Sequence, residues 1–288
     1  MKTFLIWLGK CLGLIVGVSL GAALLGVPWI LYLENRAGDD VDLTIITRLP
    51  LEIWALISGL IVIALFLRLE RAKLSAAYLR WNGVLSHSLA GGVIGLFAAG
   101  ASAIIALLTG QVELNQEFIT VPLATLLLLG LSVFLNALLQ EMMFRGYVFH
   151  VSERAYGVIF AIIMSSLGFV LVHGGVYSGV EGLFAGASLM LAGLGMAFMV
   201  LATRSIWLAT GYHWGWNMSQ AFISDEVANK AYTEGAPLII NTSASYGINV
   251  EHTLLGLFGP AIVAVIAFLF WRYRQPQTDS NKHTPEAN

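Results

Sequence analysis

Long apolar stretches alternate with short polar segments along most of this chain. A run of about 20 mainly apolar residues is long enough to cross a lipid bilayer as a helix. The pattern predicts eight such helices, with limits good to about 2 to 4 residues. They cover residues 11–33, 51–68, 84–109, 119–150, 156–173, 182–202, 205–223 and 253–271. The predicted fold class is therefore all-α, a polytopic transmembrane helical bundle.

The composition supports a membrane protein. Hydrophobic residues make up 58% of the chain and charged residues only 11%, whereas soluble domains carry about 25% charged residues. The net charge of −2 gives no reason to expect a nucleic-acid partner. Cys11 is the only cysteine, which excludes an intrachain disulfide and a cysteine metal cluster. We interpret the first apolar stretch as a membrane helix, because it is longer than the apolar core of a signal peptide.

The basic residues predict the orientation of the helices. If the N-terminus is inside, three of the 15 lysines and arginines (Arg36, Arg48 and Lys230) fall outside, and the other 15 − 3 = 12 fall inside. Cytoplasmic loops carry the excess of positive charge in membrane proteins. Both termini are therefore predicted to be cytoplasmic, in a multi-pass protein of the plasma (cell inner) membrane.

Charged residues interrupt the fourth apolar span near its end, at residues 140–146 (Gln-Glu-Met-Met-Phe-Arg-Gly). Glu141 and Arg145 are four residues apart and share one face of a helix. An ionisable group inside an apolar helix costs roughly 2.5 to 3.5 kcal/mol on insertion scales, and it indicates a functional site. Glu141 can be a general base that activates water, or a metal ligand. The alternative is an ion pair with Arg145 that only stabilises the helix.

Two further pairs have the same four-residue spacing in other apolar spans. Phe169 precedes His173, and His213 precedes Asn217. Histidine and asparagine side chains can together donate to a developing oxyanion, whereas Phe169 is expected to pack on the His173 ring. His173 can equally be a structural histidine bonded to a neighbour. The working hypothesis is that three helices bring Glu141, His173, His213 and Asn217 to one point.

A metal site is a second interpretation of these residues. Glu141, His173 and His213 could supply three ligands to Zn²⁺ and leave one position open for water. The short His-Glu helix motif that is typical of zinc proteases is missing, and the Arg145 guanidinium repels a cation. We therefore predict at most weak metal occupancy. The remaining histidines are interpreted as structural or solvated: His87, His150, His252 and His283.

The three motifs together resemble the CPBP family, the CAAX prenyl protease and bacteriocin-processing intramembrane proteases. That family is marked by Glu-Glu-x-x-x-Arg, Phe-x-x-x-His and His-x-x-x-Asn on three membrane helices. The matching segments here are 140–145, 169–173 and 213–217. The resemblance implies an α-helical bundle with a cavity that opens to the cytoplasm, and hydrolysis of peptide bonds in peptide or protein substrates. It divides the chain into lead-in helices 1–110, a catalytic core 111–274 and a disordered tail 275–288.

The resemblance also implies a role for each matching residue. Glu141 and Arg145 correspond to the second family glutamate and its supporting arginine. His173 corresponds to the histidine that helps to activate water, and His213 with Asn217 corresponds to the oxyanion or ligand pair. We expect Glu141 to activate the water together with His173.

Gln140 departs from the family pattern, which has a glutamate at this position. An amide cannot take up a proton at neutral pH, so Gln140 cannot be the base. A glutamate at residue 140 is expected to raise proteolysis by about 10²-fold or more.

Three function classes follow from these observations. The first is an intramembrane endopeptidase of metal or glutamate type, with a peptide substrate and the lipid bilayer as partners. The second is a non-catalytic pseudoprotease that binds membrane proteins or peptides, which Gln140 favours. The third, a small transporter, is disfavoured because the chain has no internal repeat and no paired broken helices. The oligomeric state does not follow from the sequence.

Overall fold

The computed structural model describes residues 1–37, 45–110, 112–114, 122–173, 179–223, 240–242 and 254–275. These residues fold into a bundle of α-helices, which agrees with the predicted class. The helices are α1 (Lys2–Ala37), α2 (Ile45–Leu69), α3 (Val84–Leu108), α4 (Leu123–Glu141), α5 (Phe149–Tyr156), α6 (Val158–His173), α7 (Gly179–Thr203), α8 (Trp207–Ile223) and α9 (Phe258–Arg274). Short 3-10 turns, Leu74–Ala77 and Leu254–Leu257, precede α3 and α9.

The eight predicted spans are confirmed as helices, and five of them are long and apolar enough to cross a membrane. These five are Lys2–Asn35, Arg48–Leu69, Val84–Leu108, Leu123–Tyr156 and Gly182–Thr203. Helices α6, α8 and α9 are shorter, at 16, 17 and 17 residues. Large apolar side chains on the outside of the bundle are exposed, for example Leu24 (76%) and Phe97 (75%). Contiguous exposed apolar surface of this kind suits contact with lipid, and the chain is an integral multi-pass membrane protein.

A π-helical turn, Met142–Val148, joins α4 to α5 without a break. These three elements form one continuous helical rod, Leu123–Tyr156. The predicted break between the spans 119–150 and 156–173 is shifted, because the helix continues to Tyr156 and the chain reverses at Gly157, where φ is 87°. Glycine adopts this positive φ without steric cost, so it ends the helix. π-helical turns are rare and are frequent at functional sites.

Glycines let α1 and α2 pack closely. A side-chain carbon at Gly17 would lie 3.1 Å from Val62 Cγ1, and one at Gly13 would lie 3.2 Å from Phe66 Cζ. Small residues at a helix interface let the two backbones approach closely, and α1 and α2 pack in this way.

Helices α3 and α8 cross with their backbones in close contact, which the sequence did not predict. A side-chain carbon at Gly211 would overlap the backbone of Ser88, and one at Gly215 would overlap the backbone of Gly92. Helix α8 therefore lies directly against the backbone of α3 on both sides of His213. The domain division at residue 110 stays a prediction, and this contact crosses it.

Glu70, directly after α2, makes three polar contacts, with α1, the π-helical turn and α5. Its carboxylate lies 3.0 Å from Lys10 Nζ, accepts a 2.6 Å hydrogen bond from the Tyr147 hydroxyl and lies 3.3 Å from His150 Nε2. Burial raises the pKa of Glu70, but the hydrogen bonds from Tyr147 and Lys10 and the nearby positive charge outweigh it, so the pKa lies below its ordinary value.

Two predicted loops contribute a short β pair. Strand β1 (Val112–Leu114) pairs antiparallel with strand β2 (Ile240–Thr242). The sequence pattern did not predict this pairing, because three residues are too few to show an alternating pattern. His252, His283 and all but the first residue of the predicted tail lie outside the described residues.

Candidate active site

Glu141 and Arg145 form an ion pair inside the helical rod. Arg145 Nη1 lies 3.2 Å from Glu141 Oε1, and both side chains are 0% exposed. The guanidinium also stacks over the Phe169 ring, with its Cζ 4.4 Å from the ring centroid. Gly193 on α7 makes room for the guanidinium. A side-chain carbon at this residue would lie 3.1 Å from Arg145 Nη2. The predicted pair is therefore present, and α6 and α7 enclose it.

His213 binds the same carboxylate oxygen from α8. Its Nδ1 lies 3.0 Å from Glu141 Oε1, and the ring is only 3% exposed. An ionised carboxylate can only accept hydrogen bonds, so Nδ1 carries the proton and donates it. The other nitrogen, Nε2, is then an acceptor in the neutral ring and a donor in the imidazolium. A hydrogen bond of 2.9 Å from Trp214 Nε1 to the Gly130 carbonyl fastens α8 to α4 beside this contact.

His173, the last residue of α6, packs against the Phe169 ring. Its ring centroid is 4.4 Å from that of Phe169 and 6.3 Å from that of His213. The predicted packing of Phe169 on His173 is confirmed. His173 Nδ1 lies 2.8 Å from the Phe169 carbonyl, which can only accept, so the neutral ring has its lone pair on Nε2. The His173 side chain is half-buried.

Asn217 is half-buried one helical turn beyond His213 on α8. The spacing places both side chains on the same face of the helix. In the part of the chain that the structure describes, no hydrogen bond joins Asn217 to Glu141, His173 or His213. The structure thus brings Glu141, Arg145, Phe169, His173 and His213 into contact, and it leaves Asn217 next to them on the same helix face as His213.

A comparison with family models identifies this region of the chain. Residues 122–219 match the family described as type II CAAX prenyl endopeptidase Rce1-like. The match confirms the resemblance to the CAAX-type proteases, and the segment runs from α4 into α8. Neither a curated protein nor a solved structure matches the chain significantly.

Gln140 lies in the Rce1-like segment, and its amide bonds to Asn136. Its Nε2 donates a 2.8 Å hydrogen bond to Asn136 Oδ1, and Asn136 Nδ2 donates a 3.1 Å bond to Glu52 Oε2 on α2. Sequence reasoning missed Glu52 and Asn136. The available signal was an acidic residue at the start of one apolar span and an asparagine one turn before Gln140.

The donor set of the Rce1-like segment fits a resident metal ion poorly. Oε1 of Glu141 already accepts hydrogen bonds from Arg145 and His213, and a guanidinium 3.2 Å away repels a cation. No three His, Cys, Asp or Glu side chains among the described residues are arranged to hold a metal ion. Zinc binding by Glu141, His173 and His213 stays a prediction.

Proposed function

We propose that this chain is an intramembrane endopeptidase that cleaves peptide or protein substrates at the membrane by attack of activated water. The observation that carries the proposal is the pair of histidines, His173 and His213, whose ring centroids lie 6.3 Å apart beside a buried carboxylate. Hydrogen bonds of about 2.7 to 3.2 Å from each ring can reach one small group between them. A water molecule and the carbonyl that it attacks are groups of this size.

His173 is the proposed general base. Its Nε2 lone pair accepts a proton from water while the water oxygen attacks the carbonyl carbon of the scissile bond. The carbonyl oxygen gains negative charge and accepts hydrogen bonds from protonated His213 Nε2 and the Asn217 amide. When the carbon–nitrogen bond breaks, the proton held by His173 passes to the leaving amine, which yields a new carboxylate and a new amine.

Glu141 is better suited to positioning than to taking up a proton. Our sequence-based hypothesis assigned water activation to Glu141 together with His173. Oε1 of Glu141 accepts from Arg145 and His213, and the carboxylate is fully buried. A carboxylate in this position holds the His213 ring in one orientation through the bond to Nδ1. We therefore assign the base role to His173 and the positioning role to Glu141.

The proposal is tested by product analysis. Purified protein in detergent is incubated with a peptide library that includes free and prenylated C-terminal sequences, and cleavage sites are mapped by mass spectrometry. His173→Ala should lower the rate about 10²- to 10⁴-fold. His87→Ala, on α3 and outside the site, serves as the matched control and should cleave normally. Peptide capture without products, under every condition, would contradict the protease function.

That outcome would favour the second candidate, a pseudoprotease that binds membrane partners. The specific observation in its favour is the amide at residue 140, which is held in a hydrogen-bond chain and cannot act as a base. Binding needs only the enclosed polar groups, so peptide affinity would survive the His173→Ala change. The protease should therefore form cleavage products and the pseudoprotease should not, whereas both should bind peptides.

The proposed setting is the plasma (cell inner) membrane, with both termini in the cytoplasm. The excess of basic residues on one side supports it. Reporter fusions after Gln277 should report the cytoplasm, and fusions near Thr233 should report the outer side. The reverse pattern would overturn the orientation.

A further inference from the structure

A line of three polar side chains connects α2 to α4 next to the candidate active site. Gln140 Nε2 lies 2.8 Å from Asn136 Oδ1, and Asn136 Nδ2 lies 3.1 Å from Glu52 Oε2. All three side chains are partly buried in an apolar bundle. The carbonyl oxygen of Gln140, Oε1, is buried and has no hydrogen-bond partner in the described part of the chain.

This line has a direction, which its end at Glu52 determines. Asn136 turns its NH₂ group toward Glu52, whose Oε2 accepts the 3.1 Å hydrogen bond. The carbonyl oxygen of Asn136 then faces Gln140, and Gln140 donates a hydrogen bond to it from its own NH₂ group. Each amide is therefore held in one of its two orientations. The Nε2 group of Gln140 is used in the bond to Asn136, and its Oε1 remains as an acceptor without a partner among the described residues.

We propose that Glu52 and Asn136 are positioning residues, which fix the Gln140 amide so that its Oε1 is offered to a hydrogen-bond donor. The donor class is an N–H or O–H group, from the backbone of an extended peptide or from a water molecule. The part that concerns a peptide rests on the proposed function above. A buried acceptor without a partner is costly in an apolar environment, so a donor that reaches it gains affinity.

The direction of the line also explains why an amide suits residue 140. A glutamate there would put carboxylates at both ends of Asn136, whose NH₂ group faces only one of them. The other carboxylate would meet the Asn136 carbonyl oxygen, and two acceptors cannot bond to each other. A glutamine at residue 52 would resolve this conflict. Its NH₂ group could donate to Asn136, which would then donate to the carboxylate introduced at residue 140, so the same line would run in reverse.

A double-mutant cycle tests the line without any assay of activity. Thermal unfolding is measured for the wild type, Gln140→Glu, Glu52→Gln and the double variant. Gln140→Glu should lower Tm by about 3 to 8 °C, because one buried partner is lost. Glu52→Gln keeps an acceptor for Asn136 and should lie close to the wild type. The double variant should recover most of the Tm lost in Gln140→Glu.

Additive shifts in Tm would overturn the proposal, and so would a double variant that does not fold. If Gln140→Glu alone fails to fold, recovery of folded protein in the double variant supports the proposal. Since the cycle needs no substrate, its outcome is independent of whether the chain cleaves peptides.

A second measurement separates positioning from mere stability. Glu52→Leu removes the acceptor, so Asn136 and Gln140 can both turn over. For a peptide found to be cleaved in the library experiment, KM should rise about threefold or more while kcat stays within about twofold, since only binding is lost. An unchanged KM would overturn the positioning role. The gain in proteolysis expected from a glutamate at residue 140 should be larger with Glu52→Gln than without it.

Discussion

His213 Nδ1 lies 3.0 Å from Oε1 of Glu141, and neither side chain is exposed by more than 3%. One carboxylate oxygen thus receives a histidine from α8 and, at 3.2 Å, an arginine from its own helix. Such a buried group keeps its geometry only while every partner is present, because an unpaired charge is costly in the interior. The predictions below follow from this dependence and from the packing that maintains it.

Glu141→Gln should destabilise the protein strongly. The change leaves the Arg145 guanidinium buried without a counter-charge, which costs about 3 to 5 kcal/mol. The double variant Glu141→Gln with Arg145→Met removes both charges and should be more stable than Glu141→Gln alone. Unfolding in detergent, followed by circular dichroism, provides the measurement. If the double variant loses as much stability as Glu141→Gln and Arg145→Met lose together, the two residues are not coupled.

The two oxyanion donors should act on turnover more than on binding. His213→Ala and Asn217→Ala should each lower kcat by about 10²- to 10³-fold, with little change in KM, because their hydrogen bonds strengthen as charge develops. Ser219→Ala is the matched control on α8, since its hydroxyl bonds to the Gly215 carbonyl of the same helix. The kcat and KM of each variant are measured by steady-state kinetics on a peptide that the wild type cleaves. Normal kcat in Asn217→Ala would remove this residue from the proposed mechanism.

The crossing of α3 and α8 should tolerate no side chain at Gly215. Gly215→Ala would push its new carbon into the backbone of Gly92, and overpacking of this kind costs about 1 to 3 kcal/mol. Gly100→Ala is the control on α3, where an added carbon meets nothing within 4 Å. Because alanine is the better helix former by about 0.5 to 1 kcal/mol, Gly100→Ala should stabilise or be neutral. Equal destabilisation by both changes would argue against the close crossing.

Glu70 should make stability depend on acid pH. Its pKa is below the ordinary value of about 4.3 in the folded protein. The stabilisation is therefore complete above the unfolded pKa and is lost as the pH falls through the folded one. Thermal unfolding between pH 7 and pH 3 should show a gap between the wild type and Glu70→Gln that closes only below about pH 4.

The groups around Glu70 require a control for this experiment. Lys10, Tyr147 and His150 all face the Glu70 carboxylate, and the His150 ring lies 3.3 Å from it. In a His150→Gln background, the difference in stability between Glu70 and Glu70→Gln should still disappear below about pH 4, because it comes from the titration of the carboxylate. Loss of the acid step in His150→Gln would assign it to the histidine instead.

Metal analysis should find less than one zinc per chain in the purified protein. The Arg145 charge and the two donors already bound to Glu141 Oε1 compete with a cation. Inductively coupled plasma mass spectrometry on wild type and on the double variant His173→Ala with His213→Ala gives the comparison. One zinc per wild-type chain that disappears in the double variant would establish the metal site.

The helices and the pairs of polar residues that share one helix face could be predicted because they depend on local pattern. Apolar runs of membrane length determined the eight helices, and the four-residue spacings determined which polar side chains share a face. The ion pair of Glu141 with Arg145 and the stacking of Phe169 on His173 are contacts within one helix turn, so the sequence was sufficient for both.

The tertiary structure alone decided how these helices face one another. The bond from His213 to Glu141, the line from Gln140 to Glu52 and the crossing at Gly215 join residues that are far apart in the chain. In a chain with 58% hydrophobic residues, apolar surface surrounds every helix, so composition does not mark which side faces a neighbour. That choice depends on where small residues allow backbones to meet and where buried polar groups find partners. Both conditions are properties of pairs of helices and not of any one segment.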